Sequence, residues 1–207
     1  MEQIQTEELM SFLKNKKNAL IAAAAVAFVA VMAVLSINYL NDQRQIASKR
    51  AFGEALIGAS DRNELTGLLR SVAQEHRGSA EATYALMLVG QNLIEAGEYR
   101  EAVSVLEQAL GSRQTAPFLT AVILESKATA LEFNGSLDDA VSTYERALSL
   151  QNNFFRRNET RLKLALLNLR MGNTVAAQKH FELIVSDASA SDRISRIARN
   201  ELAALEL

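Results

Sequence analysis

A pattern in the middle of the chain returns three times at a nearly constant interval, and a period of this size decides the fold. The three segments are LMLVGQNLIEAGEYREAVSVLEQAL from Leu86 to Leu110, LESKATALEFNGSLDDAVSTYERAL from Leu124 to Leu148, and RLKLALLNLRMGNTVAAQKHFELIV from Arg161 to Val185. Gly97, Gly135 and Gly172 hold the same place in each, 38 and 37 residues apart. Every shared position has a physical reason. Gly ends a first helix, because the left-handed cap costs it nothing. Ala102, Ala140 and Ala177 follow five residues later, where a methyl group lets a second helix lie close against the first. Leu106, Tyr144 and Phe181 come four residues on, on the same helical face, and fill the space between repeats. Ala109 with Leu110, and Ala147 with Leu148, close the second helix. Gly90, Ala128 and Ala165 are the small residues at the closest contact of the first helix.

This set of small and large positions on both helices resembles tetratricopeptide repeats, whose period is about 34 residues. Two departures stand out. Leu86, Leu124 and Arg161 replace the usual large aromatic early in the first helix, and the Pro that often ends a repeat is missing. The expected boundaries are a degenerate first repeat over 43–80, repeats over 83–116, 121–154 and 158–191, and a cap helix over 192–205, all within a domain running from 41 to 207. In the degenerate repeat, Gln43 to Ile57 reads as one helix, Gly58 to Asn63 as a turn and Glu64 to His76 as a second helix. Asp192 to Leu205 is amphipathic, which suits a helix that seals the end of a stack. About nine helices are expected outside the apolar run described next. Residues Arg113 to Phe118 widen one turn, and Pro117 marks the insertion. The fold class is therefore all-α, an α-solenoid with a C-terminal cap.

Ahead of the repeats, Ala19 to Leu40 carries no charge. As a helix the run is roughly 33 Å long, against a hydrocarbon core of roughly 30 Å, so it reads as a transmembrane helix. A cleaved signal peptide has a shorter apolar stretch of about 7 to 15 residues, although small residues such as Ala25 and Ala27 leave cleavage open. A buried core helix is the third reading. Lys14, Lys16 and Lys17 crowd the N-terminal flank, while Asp42 and Arg44 begin the other. The positive-inside rule then puts residues 1–18 in the cytoplasm and the repeats outside it, in the periplasm of a diderm bacterium. Tyr39 sits where an interfacial aromatic belongs.

The residues offer little chemistry. There is no Cys, which rules out disulfides and thiolate zinc sites, and the net charge is −2 with both signs interspersed, which gives no basic field for nucleic acid. His76 and His180 are the only histidines, and neither has a partner at metal-ligand spacing. His76 reads as a helix end and His180 as a packing or surface residue. Asp138 and Asp139 are adjacent, so they point apart on a helix and suit its N-terminal dipole rather than shared proton transfer. Arg156 and Arg157 after Phe154 and Phe155 read as a basic inter-repeat turn. No phosphate-loop, dinucleotide or nucleophile-elbow motif occurs. The expectation is a non-enzymatic protein with no cofactor, no metal and no small-molecule substrate.

Binding is left as the function. In tetratricopeptide arrays the first helices line a groove, and the resemblance carries that role to Tyr84, Met87, Gln91 and Ile94, then to Glu125, Thr129, Glu132 and Phe133, then to Leu162, Leu166, Leu169 and Arg170. The mixture is apolar and acidic, suited to a partner helix or an extended apolar segment. Met87 and Gln91 stand where a Lys and Asn clamp would hold a terminal carboxylate, so chaperone-tail capture is disfavoured.

The whole layout, a short charged tail, one apolar span and degenerate repeats, resembles the YfgM-like proteins, ancillary subunits of the bacterial Sec translocon. FLKNKKNALIAAAAVAFVAVMAVLSINYLNDQRQIASKRAF looks like their tail, anchor and juxtamembrane helix, and GEYREAVSVLEQAL and GNTVAAQKHFELI look like their repeat helices. The resemblance implies an inner-membrane adaptor with a periplasmic domain, partnering translocon subunits, periplasmic chaperones or exported chains. The competing reading is a structural subunit of another envelope complex, such as a secretion or division assembly.

Overall fold

The computed structural model describes residues 17–112, 115–150 and 156–205. They divide into two compact units, Met1–Ala47 and Ser48–Leu207. Helix α1 spans Lys17–Gly58 and so begins in the first unit and ends in the second. Taken by itself, the first unit has no second described element to pack on, and residues 21–47 are exposed. A stretch this apolar, with a mean hydropathy of 2.4 over its richest window and none of that window buried, has no core to belong to within its unit. The hydroxyl of Ser36 is satisfied inside the helix by donating to the carbonyl of Met32 at 2.8 Å.

The second unit continues with α2 (Arg62–Glu75), α3 (Ala80–Ala96), α4 (Tyr99–Leu110), α5 (Pro117–Phe133), α6 (Leu137–Leu150), α7 (Arg157–Arg170), α8 (Thr174–Val185) and α9 (Asp192–Leu205). Among the described residues there is no strand. From α2 to α9 each helix packs on the next, and α3 with α5 and α7 with α9 add contacts one helix further on. Contacts that reach only the next repeat define a solenoid. The fold is all-α, a tetratricopeptide-like α-solenoid closed by α9.

Three turns share one geometry. Gly97, Gly135 and Gly172 have φ of 82°, 85° and 80°. The next N–H in each turn reaches back five residues: Glu98 to Leu93, Ser136 to Leu131 and Asn173 to Asn168, each at 2.9 Å. This left-handed cap satisfies carbonyls that the helix end would strand. At the other ends, Asp61 accepts from the Glu64 N–H at 2.9 Å and Ser79 from the Ala82 N–H at 3.0 Å, so side chains cap α2 and α3. His76 follows α2 as its C-cap, and Asp138 and Asp139 lie in the first turn of α6.

The second-helix positions carry the core. Ala102, Leu106, Ala140, Tyr144, Ala177 and Phe181 are all fully buried. Gly90 marks the tightest approach: a Cβ there would stand 2.5 Å from Cγ of Leu106. At the end of the stack, Phe181 and Ile184 of α8 pack with Ile194 and Ala198 of α9, which is how the cap covers the last repeat. Arg161 is buried as well, and its guanidinium donates to Asn158 Oδ1 at 2.8 Å with Asp187 at 3.7 Å.

His180 lies beside this group on α8, and among the described residues its Nδ1 is buried without a hydrogen-bond partner. Burial, then the charges of Arg161 and Lys179, hold its pKa below the ordinary histidine value. A depressed histidine favours the neutral form in the fold, so the unfolded chain takes up the proton first as pH falls below about 6.5. The thermal midpoint of the wild-type solenoid should fall from pH 7.5 to pH 5.5. His180→Leu should flatten that slope; an unchanged slope would assign it to other groups.

Candidate functional site

The first helices α3, α5 and α7 are joined along one side by side-chain bridges. Gln91 donates to the Ser126 hydroxyl at 3.4 Å, which links α3 to α5. Lys163 reaches Glu125 at 2.7 Å and Arg170 reaches Glu132 at 2.9 Å, which link α5 to α7. Arg156, one residue before α7, adds a two-pronged contact to Glu125, Nη2 to Oε1 at 2.8 Å and Nε to Oε2 at 3.2 Å. Tyr144 of α6 comes up from below: its hydroxyl donates to Glu132 at 3.1 Å and lies 2.9 Å from the Thr129 hydroxyl. The Thr129 hydroxyl also donates to the Glu125 carbonyl at 3.0 Å.

Electrostatics follow from this geometry. Burial acts on Glu125 to raise its pKa, but the Arg156 hydrogen bond and the charge of Lys163 outweigh burial and hold the carboxyl below the usual range. Burial, assisted by Glu132 and Glu125, pushes the Tyr144 hydroxyl well above its ordinary value, so it remains a neutral donor. The acidic character expected from the sequence is thus largely cancelled, since Glu125 and Glu132 are both neutralised by cations of the next repeat or the turn before it.

Ten of the twelve expected groove residues fall into three groups, and Gln91 and Met87 stand apart. Glu125, Thr129, Glu132 and Arg170 meet in the network just described. Phe133, at 57% exposure, and Leu166, at 40%, present apolar surface, and the Phe133 ring stacks on Tyr99 with centroids 5.3 Å apart. Tyr84, Ile94, Leu162 and Leu169 are half-buried and lean on the core, Tyr84 with its ring 6.5 Å from that of Phe52. Gln91 serves as the bridge to α5. Met87 does not line an open surface: it is buried with Leu106, Ala109, Leu119 and Ile123, because α4 and α5 close over that side of α3. Glu125 is only 2% exposed and is likewise withdrawn from solvent.

Arg156, Lys163, Ser126 and Tyr99 complete this surface and were not among the expected residues. A signal for Lys163 existed in the sequence. Glu125 to Lys163 and Glu132 to Arg170 are both separations of 38 residues, one repeat period, so opposite charges at equal positions of successive repeats become neighbours. Phe154 and Phe155 lie outside the described residues, as do Arg113 and the N-terminal residues 1–16. Among the described residues no group of three or more acidic, His or Cys side chains is arranged to hold a metal ion.

The tetratricopeptide-repeat family model matches residues 121–154, the repeat that supplies α5 and α6. No curated protein matches the sequence. Among solved structures, a tetratricopeptide repeat protein from Parabacteroides merdae ATCC 43184 superposes with a TM-score of 0.59 at 19% identity, over 77% of this chain. This chain spans 59% of that protein's length. A putative kinesin light chain of nearly identical TPR-like repeats from Podosopora anserina superposes with a TM-score of 0.58 at 18% identity, over 78% of this chain and 83% of its own. Identities this low establish the fold alone.

Proposed function

We propose that the protein is a membrane-anchored, non-enzymatic adaptor that binds protein partners on the α3–α5–α7 side of its solenoid. The observation that carries this reading is the composition of that side: exposed Phe133 and Leu166 flank a network of Glu132, Tyr144 and Arg170 whose polar groups are already satisfied. A surface with settled charges and projecting apolar side chains suits an amphipathic or extended partner more than a small charged metabolite. The uncharged run Ala19–Leu40 holds the solenoid at the bilayer, with the N-terminus cytoplasmic and the repeats periplasmic, which raises its effective concentration near other membrane machinery. The resemblance to YfgM-like proteins names the machinery: the Sec translocon and the periplasmic chaperones that receive exported chains.

Site-specific photocrosslinking in intact cells tests the binding reading. A crosslinker at Phe133 or Leu166 should give discrete adducts containing translocon subunits, chaperones or nascent exported chains, whereas one at Val175, exposed on α8, should not. Adducts containing a fixed secretion or division assembly would favour a structural subunit. Identical adducts from all three positions would remove the assigned face.

A further inference from the structure

A cavity of about 600 Å³ lies between the second helices α2 and α4, over the first half of α3, away from the bridges described above. It exists because small residues stand where larger ones would fill the space. Ala73 and Ala82 form part of the floor with Val89 and Val105, all four buried. One repeat on, Lys127 of α5 pairs with Glu107 of α4 at 2.8 Å. By the repeat register Val89 and Arg70 stand at those positions here; Val89 carries no charge, so no such bridge can form, and Arg70 pairs with Glu101 instead.

The chemistry of the walls selects the occupant. No carboxylate is among the described lining residues, whereas Arg70 and Arg77 both face the cavity. Arg70 is already paired with Glu101, which leaves Arg77 as the cation on the rim. Gln74 and Gln108 stand on opposite second helices, and a carboxamide offers both a donor and an acceptor. The Ser112 hydroxyl also lines the cavity, and among the described residues it is buried without a hydrogen-bond partner. An alkyl chain would fill the floor but leave the buried Ser112 hydroxyl against methylenes and displace water from the exposed amides of Gln74 and Gln108. A peptide backbone supplies the N–H and C=O groups that they need, and a volume of this size, within the roughly 300–1,000 Å³ of small-ligand sites, accepts one aliphatic side chain with its flanking backbone.

We propose that this cavity binds an extended peptide in which an acidic residue stands next to an aliphatic one. The aliphatic side chain occupies the floor of Ala73, Ala82, Val89 and Val105, the backbone bonds to Gln74 and Gln108, and the acidic side chain meets Arg77. The site is separate from the α3–α5–α7 side and stands or falls without it.

Fluorescence anisotropy on the full chain in detergent tests the assignment, with an end-blocked, fluorescein-labelled peptide Gly-Ser-Asp-Leu-Ser-Gly as the probe. Binding should weaken at least tenfold in Arg77→Glu, whose exposed position leaves the fold unaffected, and by a similar factor when Asn replaces the Asp of the peptide. Ala73→Leu, which occupies the floor, should abolish it while the thermal midpoint reports that the variant is folded. Phe133→Ala should change nothing. No binding by wild type, equal binding by wild type and Arg77→Glu, or loss of binding in Phe133→Ala alone would overturn the proposal. So would binding of octanoate, at the same site, in place of the peptide.

Discussion

Tyr144→Ala should be the most damaging single substitution in the solenoid, at about 3–5 kcal/mol. Its ring is fully buried among Ala128, Leu131, Ala140, Leu164 and Leu167, so it touches α5, α6 and α7 at once. Truncation leaves a cavity where two repeats meet. Stability in a solenoid is a sum of repeat and nearest-neighbour terms, so the loss falls on one interface. Melting by circular dichroism should therefore drop by roughly 6–20 °C and broaden. Hydrogen exchange should quicken in α7 to α9 ahead of α2 to α4. Tyr144→Phe keeps the ring and removes only the hydroxyl bonds to Glu132 and Thr129, a change of about 1 kcal/mol. Equal losses for the two variants would mean that the network, not packing, holds this interface.

The second large effect belongs to the Glu125 cluster. Arg156→Ala with Lys163→Ala strips both cations from a carboxylate that is 2% exposed. Breaking a buried pair from one side costs about 3–5 kcal/mol, and because both cations are themselves partly exposed the loss should sit near the low end, about 3 kcal/mol. Adding Glu125→Met to the double variant should restore much of it, since an apolar replacement removes the stranded charge. The pH response changes sign. In wild type the Glu125 pKa is held below its ordinary value, so its contribution is present above about pH 4.5 and lost as pH falls through the lowered pKa. Without the cations only burial acts and the folded pKa rises above the unfolded one. The double variant should then gain stability, relative to wild type, as pH drops from 7 towards 5. A parallel pH profile for the two proteins would contradict this assignment.

The architecture was readable because backbone geometry and core size each leave one solution. Gly97, Gly135 and Gly172 recur because the turn needs positive φ, and Ala102, Ala140 and Ala177 recur because two helices must approach closely. The pattern at Leu106, Tyr144 and Phe181 likewise announces the space that they fill. Surface detail was harder. Met87 and Glu125 share a helix face with residues that reach solvent, and which of them is covered depends on how far α4 and α5, or the turn at Arg156, extend across it. Periodicity within one helix cannot report that. The ion pairs were legible only across repeats, through the 38-residue separation of Glu132 from Arg170. Local caps shifted element ends as well: α2 starts at Arg62 under the Asp61 cap, two residues before the expected Glu64. The cavity over α3 was invisible in the sequence, because its walls come from three helices and only their packing leaves the space over Ala73 and Ala82 unfilled.

The adaptor reading depends most on the uncharged helix lying in lipid. Alkaline extraction of membranes from cells that express either the full chain or residues 41–207 measures this directly. The account predicts the full chain in the membrane pellet and the shortened chain in the supernatant, folded to the same helical content. Release of the full chain into the supernatant, or retention of the shortened chain in the pellet, would contradict it.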